Sequence, residues 1–248
     1  MREPPAKRVG VARVLSKQGL ASRSEAAAWV RAGRVRVNGR LVHDPEFAVR
    51  FGQDAVSVDG LGGTAASAAE PVPPLYLMLN KPRGLVTTTS DERGRATVYS
   101  CFAGESLPWI APVGRLDQAS EGLLLFSNDT AWAARITAPE THLDKTYAVH
   151  IDRVAADGDL EAMRRGVDCD GERHAVKQVA LLRAGEKTSW LEIVLDEGRN
   201  RQIRRILAAL DIGVLRLIRV RIGCLELGEL AKGRWRRLQA EEIDALRG

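Results

Sequence analysis

Pro112-Val-Gly-Arg115-Leu-Asp117-Gln-Ala-Ser-Glu-Gly122-Leu-Leu-Leu-Phe-Ser-Asn128-Asp129 sets two opposite charges, Arg115 and Asp117, ahead of a turn and an apolar run from Leu123 to Phe126. That run has the length and bounding of a buried strand, so the charges sit at the edge of a core. An acid there stays ionised only beside a cation or several N–H donors, because burial alone raises a carboxyl pKa. By itself an Arg-x-Asp reads first as a structural ion pair in a loop, without chemistry.

Two further stretches change that balance. Lys145-Thr-Tyr147 opens a run in which Tyr147, Val149 and Ile151 alternate onto one face, so Tyr147 starts a strand and aims its ring at whatever the strand lines. Glu197-Gly-Arg199-Asn-Arg201-Gln-Ile-Arg204-Arg205 follows a strand expected over Trp190 to Leu195 and opens a helix with Ile203, Ile206, Leu207 and Leu210 at core spacing. Arg201, Arg204 and Arg205 fall on the opposite, cationic side of that helix.

These motifs resemble the pseudouridine synthases that modify ribosomal RNA, in the small-subunit-type branch that carries an S4 RNA-binding domain in front. The likeness is carried by Gly114-Arg-Leu-Asp117, Glu121-Gly-Leu-Leu-Leu, Asn128-Asp129, Lys145-x-Tyr147 and Glu197-Gly-Arg-Asn-Arg-Gln-Ile-Arg-Arg205. Leu79-Asn-Lys81-Pro-x-Gly84 and Leu217-Ile-Arg219-Val-Arg-Ile-Gly223 add to it. Ser120 stands where threonine is usual, and Thr130 where glycine is usual, which leaves the turn after Asp129 open to question.

Composition fits such a partner. The chain has 248 residues, 45% hydrophobic and 28% charged, and a formal net charge of +5. No apolar run approaches a membrane span and Met1 to Arg8 lacks an apolar h-region, so a soluble cytoplasmic protein is expected. The cysteines, Cys101, Cys169 and Cys224, are odd in number and far apart, and the four histidines are scattered, which points to neither a disulfide framework nor a metal site. Arginines gather at 31–40, 199–205, 216–221 and 234–237, the footprint of a surface that tracks phosphates.

Residues 1–8 read as a disordered basic tail. Over 9–59, Val11, Val14 and Leu15 mark a short helix, and Ser22-Arg-Ser-Glu25 has capping-box spacing before a second one ending at Gly33. Arg34 to Val37 alternates into Asn38-Gly39, a hairpin signal, and Val56 and Val58 close a small sheet. This resembles an S4 domain, and implies RNA contact through Arg23, Arg31, Arg34 and Arg36; a solvated basic face is the plainer reading. Residues 60–74, rich in Gly, Ala and Pro, form a linker. Residues 75–248 begin with a strand from Tyr76 to Leu79 and a turn at Asn80-Lys81-Pro82-Arg83-Gly84, where Lys81 and Arg83 either meet phosphate or are solvated. A strand is expected over Leu85 to Thr89, helices over Ala131 to Ile136 and Leu160 to Arg165, strands over Ala175 to Leu182 and Val214 to Ile222, and a last helix over Ala240 to Leu246. Strands interrupted by single helices, without a regular βαβ period, predict an α+β fold on a mostly antiparallel mixed sheet.

The resemblance implies isomerisation of a uridine in ribosomal RNA to its C-glycoside, which requires no cofactor. It assigns Asp117 as nucleophile on the sugar or base at a ribose proton, Arg199 as its paired cation and Tyr147 as the pocket's aromatic wall. Arg115 fills the space left by a flipped base, and flipping is needed because neither C1′ nor C5 is reachable in a stack. Arg201, Arg204 and Arg205 read as phosphate contacts, and Trp190, Trp132, Trp109 and Trp235 as core aromatics rather than stacking platforms. The expected partner is ribosomal RNA or a pre-ribosomal particle, bound by a monomer, with Trp190 and Ser120-Glu121 favouring the large subunit. A ribosome-assembly factor without turnover and an N-glycoside hydrolase releasing uracil are the competing readings.

Overall fold

The computed structural model describes residues 8–50, 53–60, 72–89 and 91–247. Residues 1–7 of the expected tail and 61–71 of the expected linker lie outside them. Chain contacts divide the protein into one unit of residues 1–75 with 105–111 and another of 76–104 with 112–248.

The first unit runs β1 (Arg8–Gly10), α1 (Val11–Lys17), α2 (Arg23–Arg31), β2 (Val35–Val37), β3 (Arg40–Val42), β4 (Ala48–Arg50) and β5 (Val56–Val58). Arg8, expected in the tail, instead pairs with Arg50 as the first residue of β1. Ser22 caps α2, its side chain accepting from the Glu25 amide at 3.1 Å. Asn38 and Gly39 both take positive φ, 49° and 79°. Those are the angles of the two-residue turn that matches strand twist, and they join β2 to β3. β2 is the centre of a three-stranded sheet, β3-β2-β5. Val11, Leu15, Ala26, Val30, Val35 and Val49 fill the core beneath it, each wholly buried.

The second unit is built on one nine-stranded sheet. Its elements are β6 (Tyr76–Lys81), β7 (Ala111–Val113), β8 (Glu121–Ser127), α3 (Thr130–Thr137), β9 (Lys145–Ile151), α4 (Asp157–Arg165), β10 (Val167–Cys169), β11 (Glu172–His174), β12 (Gln178–Ala184), β13 (Ser189–Leu195), α5 (Gln202–Ala209), β14 (Val214–Ile222), β15 (Leu225–Glu226), β16 (Trp235–Arg237) and α6 (Ala240–Ala245). The strand order is β12-β13-β9-β14-β8-β6-β16, with β15 on β14 and β7 on β8. Along that order the pairings are antiparallel except one: β14 runs parallel to β8, Ile218 beside Glu121 and Arg219 beside Gly122. This gives the α+β, mostly antiparallel mixed sheet that the sequence predicts.

That parallel seam joins two halves with separate cores. β9, β13, α4 and α5 enclose Val149, Leu191, Ile193, Met163, Ile206 and Leu207, while β6, β8 and α3 enclose Met78, Leu123, Leu125, Trp132 and Ile136. Gly122 makes the seam possible: a Cβ on it would lie 2.3 Å from the Arg219 carbonyl oxygen, and its φ is +101°. No other residue type fits there.

Two expectations fail in this unit. Leu85 to Thr89 forms no strand, only a single bridge from Val86 to Thr97, made by the Val86 amide donating to the Ala96 carbonyl and the Val86 carbonyl accepting from the Val98 amide. Asn80 and Lys81 belong to β6 rather than to the turn after it. The Thr130 question resolves simply: Asp129 caps α3 through its side chain, accepting from the Ala131 and Trp132 amides, and Thr130 is an ordinary first helical residue.

Candidate active site

The Asp117 loop enters from β7 and leaves into β8. Gly114 turns it with φ +76°, and its floor is tied from below. Thr87 donates to the Leu116 carbonyl at 2.7 Å, and Lys81, wholly buried, sends its ammonium to the carbonyls of Pro82, Asp117 and Ser120 at 3.1, 3.2 and 2.8 Å. Burial pulls the Lys81 amine down to about 8, with the Asp117 charge opposing. A lysine so placed meets no phosphate. It is a positioning residue for the loop, and the phosphate-contact reading of Lys81 is corrected accordingly; apolar neighbours on β6 carry it inward. Arg83 stays exposed, its guanidinium donating to the Leu215 carbonyl at 3.4 Å.

The Asp117 carboxylate lines a cleft of about 560 Å3 together with Arg115, Tyr147, Arg199, Arg201 and Arg204. Its side chain is 35% exposed, open enough for a guest to reach. Tyr147 is half-buried on β9, opposite Ile193 on one neighbouring strand and Arg219 on the other. Arg115 projects from the loop and is exposed.

The cation beside Asp117 is not the expected one. Arg199 donates to Glu197 two residues back, Nε to Oε2 at 2.9 Å, and Glu197 also accepts from Gln202. Arg201 reaches Asp117 Oδ2 instead, Nη1 at 3.4 Å, from a left-handed N-cap position at φ +51° that turns the chain into α5. Arg204 Nε stands 4.0 Å from the same oxygen, and its Nη2 donates to the Ala119 carbonyl at 3.2 Å. Burial, then the Arg201 charge, lowers the Arg204 pKa from its ordinary value, and Asp117 works against both. The pairing assigned to Arg199 therefore passes to Arg201 and Arg204. The left-handed turn at Arg201 and the first turn of α5 at Arg204 face the loop, while Arg199, before that turn, is held by Glu197.

Arg205 is likewise engaged, to the Cys169 carbonyl at 3.0 Å and Asp170 at 3.2 Å. In the first unit Arg23, Arg31 and Arg36 are exposed, Arg36 lying 3.6 Å from Asp59. Arg34 donates to the Asp59 carbonyl at 3.0 Å and stacks over Trp29. Lys145 and Arg219, unremarked as site residues in sequence, also line the cleft. The alternation of β14 was the available signal, since it puts Arg219 on the face of Leu217.

Comparison with known proteins shows the family. The family model for RNA pseudouridylate synthase matches residues 75–209, more than half of the chain, and that for the S4 domain matches residues 9–54. The chain belongs to the RNA pseudouridylate synthase family. As a member it is an RNA pseudouridine synthase, an isomerase, with an N-terminal S4 domain. The large-subunit pseudouridine synthase B of Bacillus subtilis is 34% identical over 95% of this synthase and 94% of its own length. The small-subunit pseudouridine synthase A of Escherichia coli K12 is 36% identical over 90% and 93%. A crystal structure described as a pseudouridylate synthase superposes with TM-score 0.65 at 28% identity, covering 96% of this chain and 99% of its own. Among the described residues of the synthase, no helix is long and apolar enough to cross a membrane.

Proposed function

We propose that the synthase isomerises a specific uridine of ribosomal RNA, with Asp117 as its reacting carboxylate. The observation that carries this is the Asp117 side chain, part-exposed in a cleft, with the Tyr147 ring in the same cleft and two guanidiniums within 4.0 Å of one oxygen. Attack on C1′ or removal of a ribose proton needs a carboxylate within reach of the ribose, and the two guanidiniums orient this one. A uridine has to leave its stack to enter. Arg115, exposed on the loop rim, is placed to occupy the gap, and Tyr147 to stack on the uracil. Arg199, turned to Glu197, takes no direct part in holding Asp117.

The relatives above are named for both subunits at similar identity, and Trp190 with Ser120-Glu121 favours the large one. Residues 9–59 supply RNA grip through Arg23, Arg31, Arg34 and Arg36 on adjoining elements, and Arg83 extends the cationic surface of the catalytic unit. The synthase works as a monomer on ribosomal RNA or a pre-ribosomal particle in the cytoplasm. Pseudouridine mapping of ribosomal RNA from cells with and without the gene tests this. One uridine-specific signal is expected to disappear and to return with the wild-type gene but not with Asp117→Asn. Release of free uracil, or restoration by Asp117→Asn, overturns it.

A further inference from the structure

Two cations in the cleft have no place in the scheme so far. Arg219, on β14 beside Tyr147, is 6% exposed, and among the described residues its guanidinium makes one hydrogen bond, Nε to the Leu123 carbonyl at 2.8 Å. Its Nη2 is sealed from solvent without a partner among the described residues. A guanidinium carries five N–H donors, and each buried donor left unmatched costs about 1–3 kcal/mol, more when charged. Lys145, two residues before Tyr147 on the same strand, makes no side-chain hydrogen bond or ion pair among the described residues. Burial, then the Arg219 charge, lowers its amine from the ordinary lysine value, and Asp144 and Asp196 oppose this. Asp117 gives neither cation relief, being matched to Arg201 and Arg204. The wall that carries Tyr147 thus brings two cations without a matched anion among the described residues to the cleft, a lining suited to an electron-rich guest.

We propose that Arg219 and Lys145 receive the carbonyl oxygens of the target uracil and hold the negative charge the base acquires as it leaves the ribose. The inference rests on the isomerase reading above. When the C1′–N1 bond breaks, its electron pair goes to N1 and spreads to O2 and O4, giving uracilate. C1′ bonds to an Asp117 oxygen, or Asp117 takes the C2′ proton and later returns it. The base turns, C5 bonds to C1′ as any C1′–Asp117 bond breaks and frees the carboxylate, the C5 proton leaves and N1 gains one, so the product is an isomer of the substrate. N–H donors at the carbonyl oxygens are worth most at the moment of departure, because the charge exists only then.

The test compares wild type, Lys145→Met and Arg219→Lys in single turnovers on a ribosomal RNA transcript and on the same transcript made with 5-fluorouridine. Consumption is followed by chromatography of nuclease digests, and RNA affinity is measured alongside. Fluorine stabilises the departing anion, so help from the protein matters less. Lys145→Met is expected to lose about 100-fold in rate on the uridine transcript with affinity within twofold, and less than 10-fold on the fluorinated one. Arg219→Lys, which keeps the charge but not the fork, is expected to lose less on both. Equal losses on the two transcripts, as a structural role would give, overturn the proposal. So does a loss confined to affinity with a shallower salt dependence, which is the signature of a phosphate contact. A wild-type protein that forms no pseudouridine on the uridine transcript sinks the isomerase reading itself, a distinguishable failure.

Discussion

Replacing Lys81 by methionine separates the two things its ammonium does. The side chain is wholly buried and donates to three carbonyls, two of them in the Asp117 loop. Its pKa falls from the ordinary 10.5 to about 8 because burial penalises the charge more than the Asp117 carboxylate favours it. A displacement of that size is worth about 3 kcal/mol against the charged form. Charge-assisted hydrogen bonds to carbonyls return about 1.5–3 kcal/mol each. The net at neutral pH is a stabilising contact, and Lys81→Met is expected to cost a few kcal/mol and to slow product formation about 10-fold as the loop loosens. The pH dependence is the sharper readout. Below pH 8 the amine is charged in both states and the penalty is fully present. Between about pH 8 and 10.5 the unfolded chain holds the proton and the folded one does not, so stability rises with pH; above that neither does. Urea unfolding of wild type and variant at pH 7.5 and pH 10 is expected to show wild type gaining about 2 kcal/mol relative to the variant. Carbon NMR of the Lys81 ε-methylene should titrate near pH 8. A stability gap that does not change with pH, or a midpoint above pH 10, refutes the account.

Other consequences follow from the same geometry. Arg204→Met and Arg201→Met are each expected to lower the single-turnover rate at least 10-fold, whereas Arg199→Ala changes it less than threefold; the reverse order would restore the pairing read from sequence. Gly122→Ala forces a Cβ to within 2.3 Å of the Arg219 carbonyl at φ +101°, and should destabilise the protein by about 3 kcal/mol or more in urea unfolding. Glu121 is 3% exposed at its side chain and pairs with Arg216 at 3.0 Å and with Lys232. Burial raises its pKa, but the hydrogen bonds from Arg216 and Lys232 outweigh this and leave it lowered. Its contribution is therefore present above the ordinary glutamate range and lost as pH falls through the folded value. Glu121→Gln should cost about 2 kcal/mol at pH 7, the exposed partners limiting the effect, and progressively less as pH falls through the folded value. Removing residues 1–59 should weaken RNA binding and flatten its salt dependence.

What the sequence determined by itself is everything set by neighbours a few residues apart. The Ser22 cap, the Asn38-Gly39 turn, the buried run of β8 and the amphipathic α5 each follow from local hydrogen bonding or from a repeat of two or 3.6 residues. The Gly114-Arg-Leu-Asp117 bend and Tyr147 at the head of a strand were legible for the same reason. Tertiary structure alone decided which cation meets Asp117, that Lys81 turns inward, and that Arg219 lies beside Tyr147. The last depends on β14 pairing antiparallel with β9, and the seam between the two halves on β14 running parallel to β8, a register joining residues nearly a hundred positions apart, Ile218 to Glu121. Side-chain period names the face a residue occupies. Which strand lies next to it, and hence which charge it meets, is set by the packing of two separate cores across a seam that only Gly122 allows.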